Sequence, residues 1–167
     1  MISDNNNSNL RTGIGFDAHK LKSGIPLILG GVHIPYGQGL HVHSDGDVLI
    51  HSIIDALLGA VNLGDIGKYF PSEDPNIKGI DSKIMLKTVV NEINNHNWQI
   101  NFIDTTIVAE APKLSEFINN IKNSLSNNMN IPTHLISIKS KTTDGMGFIG
   151  KGEGISALSV ATVQKIK

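Results

Sequence analysis

The sequence predicts an α+β domain in which a mainly antiparallel sheet is covered by helices on one side. Three observations carry that expectation. Residues 10–19 alternate in strand fashion, and β-rich runs recur at 99–109 and 134–141. Residues 27–34 read as a hairpin around Gly30-Gly31. Residues 47–61 and 81–96 instead carry apolar side chains at helical period. At 167 residues, one domain over 10–167 is expected, after an Asn/Ser-rich leader over residues 1–9 whose composition is that of a disordered segment.

Taken in order, the first strand sets Ile14, Phe16 and Ala18 against Gly13, Gly15, Asp17 and His19, so Asp17 and His19 share a face. The 47–61 helix is apolar nearly all round, which predicts burial. Its polar exceptions Asp47, His51 and Asp55 recur every four residues and form one stripe that needs partners. Ser44 with an acid three residues on resembles a capping box at its start. Residues 64–71 make a glycine-punctuated loop and 73–75 an acidic turn. The 81–96 helix should bury Ile84, Leu86, Val89, Val90 and Ile93. A helix over 115–127, a strand over 134–141, a glycine-rich connection and a final strand or helix of small apolar residues complete the chain.

Composition narrows the chemistry. A formal net charge of −1 gives no electrostatic footprint for nucleic acid or an anionic membrane. No apolar run reaches the roughly 20 residues of a spanning helix, and the N-terminus lacks a signal core or an arginine-rich transit pattern, so a cytoplasmic, bacterial-type location is expected. The chain has no cysteine, so any metal must be held by histidine and carboxylate. Five of the 7 histidines (His19, His33, His41, His43 and His51) precede residue 52, a concentration of the commonest metal ligand.

Asp17 and His19 on one strand face with His51 from a helix make an O/N/N set, which leaves a catalytic zinc one open position. An isolated Asp-x-His is more often a surface pair; the flanking glycines and the buried helix bearing His51 favour metal here. His43-Ser44 precedes a helix N-terminus, where a phosphate can be received; equally, Ser44 can simply cap the helix. Lys141-Thr142-Thr143-Asp144 with Phe148, Gly150 and Lys151 suits a phosphorylated ligand, with Asp144 a Mg2+ ligand, or is an ordinary turn; it is not a Walker loop. Ala109 to Lys113 can read a base through main-chain groups or simply leave a strand. His41 reads as an incidental loop residue, and His33, His96 and His134 as structural or surface. The residues alone indicate metal-dependent chemistry on a phosphorylated small molecule.

The blocks Gly15-Phe16-Asp17-Ala18-His19, His43-Ser44-Asp45-Gly46-Asp47, Gly64-Asp65-Ile66-Gly67, Ala111-Pro112-Lys113 and Gly147-Phe148 occur in the order found in one family. Over residues 11–166 the chain resembles 2-C-methyl-D-erythritol 2,4-cyclodiphosphate synthase. The resemblance implies a homotrimer with active sites between subunits. It implies Zn2+ held by Asp17, His19 and His51, and a second divalent cation, Mg2+ or Mn2+, with Asp144 at the position of its acidic ligand. The implied substrate is 4-diphosphocytidyl-2-C-methyl-D-erythritol 2-phosphate, a cytidine diphosphate compound cyclised with release of CMP.

By the same resemblance, His43 and Thr142 stabilise the transition state, and Asp17, His19 and His43 also touch substrate. Ser44, Asp65 and Gly67 hold the erythritol end, while Phe70, Pro71, Ser72, Glu73 and Asp74 form a flap over its phosphate. Ala109, Glu110, Ala111, Pro112 and Lys113 cradle cytosine, extended by Leu114 and Ser115. Lys141, Thr143, Asp144, Phe148 and Lys151 complete the substrate set. Four positions depart from the family pattern: Lys141 stands for a usual Thr, Asp144 for Glu, Lys151 for a common Arg, and Ser72 for a frequent acid. The shorter Asp144 loosens the second metal, and Lys151 offers a point charge in place of a bidentate fork. A zinc-dependent phosphohydrolase acting on a phosphorylated small molecule is the alternative enzyme, and a metal-binding structural trimer the non-catalytic one.

Overall fold

The structure is a computed structural model that describes residues 9–42 and 44–166. His43 and most of the expected leader lie outside the described residues. Asn9 lies within them, and its carbonyl accepts from Lys165 N–H at 2.7 Å.

Strands β1 (Leu10–Ser23), β4 (Gln38–His41), β5 (Trp98–Val108), β6 (Ile136–Lys141) and β7 (Gly154–Lys165) form a sheet in the order β4-β1-β7-β5-β6. Every pairing is antiparallel except β5 with β6. The ambiguous C-terminal segment is therefore a strand, held centrally between β1 and β5. Strands β2 (Leu27–Leu29) and β3 (Val32–Ile34) form the hairpin, with Gly30 and Gly31 at φ +60° and +73°. Positive φ at both central residues is what a primed hairpin turn demands.

Helix α1 (Val48–Val61) lies across β1 and β7, and its approach to β1 explains the two glycines there. A Cβ at Gly13 would fall 2.1 Å from Ala56 O, and one at Gly15 would fall 2.0 Å from Ser52 O. Buried Ala157 and Ala161 on β7 continue that low floor. Leu49, Ile50, Ile53, Ile54, Leu57 and Leu58 are then wholly buried above it, each contributing roughly 1.5–3 kcal/mol of apolar transfer.

The alternation of β1 thus buries its small and polar face. Ile14 and Phe16 stay 67% and 61% exposed on the other face, with Leu158 of β7 beside Phe16. An irregularity between Ile100 and Phe102 in β5 shifts the inward phase from Ile100 to Ile103.

Helix α3 (Ser82–Asn95) packs against α1, and α4 (Ile118–Met129) packs against α3 and β6. Two sequence expectations are corrected. Ile84 is exposed, because the inward stripe of α3 runs through Ser82, Met85, Leu86, Val89, Val90 and Ile93. Helix α4 starts three residues later than expected, because a turn closed by Phe117 N–H on Leu114 O occupies the intervening stretch. Short helices α2 (Ile66–Tyr69) and α5 (Gly147–Gly150) interrupt the two glycine-rich loops. No described helix is long and apolar enough to cross a membrane.

Candidate metal centre and strand-end cleft

The stripe on α1 fastens three neighbours to one helix. Asp47, not Ser44, caps α1: its Oδ1 accepts from Ile50 N–H at 3.1 Å. The same carboxylate accepts from Gly30 N–H at 2.9 Å and Gly31 N–H at 2.6 Å, locking the hairpin turn onto the helix start. Full burial pushes the Asp47 carboxyl up, even against these three donors. Asp55, two turns on, accepts from Ile66 N–H at 2.7 Å and anchors α2. Burial pushes its carboxyl up as well, against that one donor.

Between them, His51 meets the first strand. Its Nδ1 lies 3.0 Å from Asp17 Oδ2, and His19 Nε2 lies 2.9 Å from the same oxygen. The two ring nitrogens are themselves 3.0 Å apart. Burial opposes ionisation of Asp17, but hydrogen bonds and charge from His19 and His51 hold its carboxyl well below the usual range. Asp17 Oδ1 is occupied separately by Ala18 N–H at 2.8 Å.

Three lone-pair atoms facing one point, two imidazole and one carboxylate, match the donor set of a catalytic zinc site with an open position. Among the described residues this is the sole cluster of three or more His, Asp or Glu side chains able to hold a metal. Behind His51, Nε2 lies 3.0 Å from Ser82 Oγ and 3.1 Å from Ser44 Oγ. Support of this kind on the far ring nitrogen fixes the orientation of a metal-ligating histidine.

The triad floors a cleft of about 250 Å3 that also exposes Ser44, Asp55, Phe70 and Ser72. Of the other residues matched to the erythritol end, Asp65 spends its side chain capping α2, accepting from Lys68 N–H at 3.1 Å, and Gly67 lies within that helix. Pro71, Glu73 and Asp74 form a turn closed by Asp74 N–H on Pro71 O, and Ser72 donates to Glu73 at 3.2 Å.

The remaining candidates gather elsewhere. Ala109, Glu110, Pro112, Lys113, Ser115, Lys141 and Thr142 line a second cleft of about 260 Å3 where β5 and β6 end. Leu114 backs it, with its side chain in the core. The Ala111–Pro112 peptide is cis. Glu110 accepts from Thr143 N–H at 3.3 Å, tying the two strand ends. Asp144 sits at φ +52° and accepts from the Thr142 hydroxyl at 3.1 Å, and among the described residues it belongs to no cluster of three or more metal-binding side chains. Phe148 lines a separate hollow against His19, Lys20 and Glu153, and Lys151 is exposed on the turn after α5.

Register fixes the separation of the two clefts. Ala18 pairs with Ser156, Ser156 with Val108, and Val108 with Lys141. Three strand spacings, about 14 Å, lie between the triad strand and the second cleft. Sequence reasoning found the triad through strand alternation and the four-residue stripe. It missed Asp45 and Ser82 behind His51, because a serine opening a helix reads only as a capping residue.

Comparison with known proteins agrees with this geometry. The YgbB family model matches residues 10–164. The chain is 46% identical to 2-C-methyl-D-erythritol 2,4-cyclodiphosphate synthase of Methylococcus capsulatus, over 93% of this chain and 98% of that protein. It is 52% identical to the enzyme of that name from Clostridium acetobutylicum, over 90% and 97%. Among solved structures, the bifunctional IspDF of Campylobacter jejuni superposes with a TM-score of 0.92 at 37% identity, over 95% of this chain and 43% of that one. The IspF of Plasmodium falciparum, solved as a CDP complex, superposes with a TM-score of 0.83 at 34% identity, over 95% and 97%. With the family model spanning nearly the whole chain and the Methylococcus capsulatus and Clostridium acetobutylicum enzymes matched along almost their full length, the chain belongs to the YgbB family, that of the 2-C-methyl-D-erythritol 2,4-cyclodiphosphate synthases.

Proposed function

We propose that residues 10–167 act as one cyclising phosphorus–oxygen lyase domain of isoprenoid biosynthesis, converting 4-diphosphocytidyl-2-C-methyl-D-erythritol 2-phosphate to the 2,4-cyclodiphosphate and CMP. The observation that carries the reading is the convergence of Asp17 Oδ2, His19 Nε2 and His51 Nδ1 in a chain of this family. An oxygen of the 2-phosphate bonds to the β-phosphorus, the bond from that phosphorus to the bridging oxygen breaks, and CMP departs with the electron pair. The attacking phosphate is already anionic, so alignment and charge neutralisation matter more than proton removal. Zn2+ on the triad, with Mg2+ or Mn2+ at Asp144, supplies positive charge to the phosphate oxygens.

The chain's own groups do the rest. Ser44, Asp65 and Gly67, with the Phe70–Asp74 turn as a flap, hold the erythritol end over the triad. Ala109, Glu110, Ala111, Pro112 and Lys113, with Leu114 and Ser115 behind them, receive the cytosine, in keeping with the CDP bound by the Plasmodium falciparum protein. Lys141, Thr143, Phe148 and Lys151 line the approach of the phosphates, and Thr142 and His43 donate to them as charge develops.

Within one chain the two clefts stand three strand spacings apart, about 14 Å. The exposed face bearing Ile14, Phe16 and Leu158 supports a homotrimer, in which the triad of one subunit faces the strand-end cleft of the next. Incubation with the cytidyl substrate, Zn2+ and Mg2+, followed by phosphorus NMR, tests the function. The cyclic diphosphate is the expected product. A linear product carrying solvent oxygen would establish the phosphohydrolase instead.

A further inference from the structure

The groups behind His51 also decide which of its two nitrogens faces the triad. Asp45 Oδ2 accepts from Ser82 N–H at 3.0 Å, and Asp45 Oδ1 accepts the Ser82 hydroxyl. A carboxylate has no proton to offer, so the single hydroxyl proton of Ser82 is committed to Asp45. Ser82 is fully buried, and its Oγ, 3.0 Å from His51 Nε2, is left able only to accept. Ser44 Oγ, 3.1 Å from the same nitrogen, already accepts from Gly46 N–H at 3.1 Å.

Nδ1, 3.0 Å from Asp17 Oδ2, shares a proton with that carboxylate as long as no cation stands between them; once a cation takes that place, these acceptors hold the ring proton on Nε2 and the lone pair of Nδ1 faces the metal. Asp45 is itself held: its N–H donates to Ile80 O at 3.1 Å, and its Oδ1 receives a longer contact from Asp47 N–H at 3.3 Å. We infer that Asp45 and Ser82 are positioning residues that select the Nε2–H tautomer of His51 and so make Nδ1 its metal donor. The inference rests on the metal reading of the triad given above. It gives a specific reason for Asp45 in the His-Ser-Asp-Gly-Asp block and for a hydroxyl at the first position of α3.

Asp45→Asn is the informative variant, because it preserves shape and inverts polarity. The Ser82 backbone N–H still requires an acceptor, so the new amide turns its oxygen there and its NH2 toward Ser82 Oγ. Ser82 then donates to Nε2, the ring proton is confined to Nδ1, and the metal-facing lone pair is lost. Exchange of carboxylate for carboxamide acts this way on other oriented imidazoles.

Two readouts on the full-length chain test this. Zn2+ affinity, measured by competition with a chromogenic chelator, should fall about 10–100-fold in Asp45→Asn. It should fall about 3–10-fold in Ser82→Ala, where Ser44 Oγ still stands 3.1 Å from Nε2. Long-range nitrogen–proton NMR of the Zn2+-loaded protein should show a slowly exchanging His51 Nε2–H in the wild type. In folded Asp45→Asn, where Ser82 no longer accepts from Nε2, that proton should exchange faster or be absent. A folded Asp45→Asn that keeps wild-type affinity and the Nε2–H pattern overturns the inference. If that variant does not fold, an unchanged affinity and Nε2–H exchange in Ser82→Ala overturn it. A wild-type chain that binds no Zn2+ defeats the metal reading itself, and the inference falls with it.

Discussion

The triad corner and the strand-end cleft are built on opposite plans. At the corner, Asp47, His51 and Asp55 descend one buried helix, and each reaches a different neighbour: the hairpin turn, the first strand and α2. No buried side-chain nitrogen or oxygen among the described residues is left unpaired. The cleft where β5 and β6 end is instead lined by main chain and by exposed Lys113, Lys141 and Thr142, its strand ends joined by Ala109 N–H on Lys141 O at 2.9 Å and by Glu110 on Thr143 N–H. On the proposed function, bonds change at the corner, and preorganised charge belongs there. A base or ribose needs only shape and main-chain donors, which strand ends provide.

The largest expected effect lies at the corner. His51→Ala removes one of three donors and leaves two others facing a gap. Bound Zn2+ should be lost from the purified protein, and kcat/KM should fall on the order of 10^3-fold, the several kcal/mol that a metal's charge supplies. Metal analysis and the phosphorus NMR assay measure both. A variant that retains wild-type turnover while free of metal would sink the assignment of the triad.

How far each region was legible follows from the same contrast. The stripe on α1 could be read because a charged residue on a helix apolar all round demands partners. Asp17 and His19 could be read because strand period places them on one face. The side of the sheet that faces the helices was less evident. The apolar residues Ile14 and Phe16 look like the core face, yet α1 lies so close to β1 that only glycine fits at 13 and 15. Close approach between two backbones leaves no hydrophobic signature in sequence. The capping residue was displaced for a related reason: Ser44 and Asp47 both suit a helix start, and only the hairpin amides of Gly30 and Gly31 fix Asp47 there. At the strand-end cleft, the residues alone left phosphate or base binding open beside an ordinary turn or strand exit, because main-chain recognition leaves the side chains unconstrained. Their individual roles came from resemblance.

A second prediction separates the regions. If the proposed trimer joins one subunit's corner to another's cleft, a charge on the exposed sheet face should divide two properties that belong together in the wild type. Phe16→Asp places a carboxylate beside Leu158, outside the core and away from α1. Zn2+ affinity should stay within about threefold of wild type, because no donor to the triad changes. The mass in solution should fall from three times 18.0 kDa toward one. Turnover should drop on the order of 10^2-fold as the two clefts part, a 1 Å misplacement alone being able to cost that much. Light scattering and metal titration on one preparation decide it. Full activity in a monomer would show that a single chain completes the site.

The smallest effect compares two aspartates. Asp17 is held ionised at the corner by two histidines, against the burial that opposes it. Asp104, on the β5–β6 side that leads to the cleft, is lowered chiefly by its hydrogen bond to Lys139, with little burial opposing it. A folded-state value below the ordinary 3.8 means that the ionised form is the stabilising one. The contribution is present above that pH and is lost as the pH falls through the lower folded value. Both side chains are more than a third exposed, at 46% and 39%, so solvent screening limits the pair to about 0.2–1 kcal/mol. Asp104→Asn should therefore lower unfolding stability slightly at neutral pH, and its difference from wild type should shrink in acid below 3.8. Urea unfolding of both proteins at the two pH values gives the comparison. A difference that persists unchanged in acid would assign the loss to packing on the sheet face, and the ion pair would then contribute nothing to how the cleft side is held.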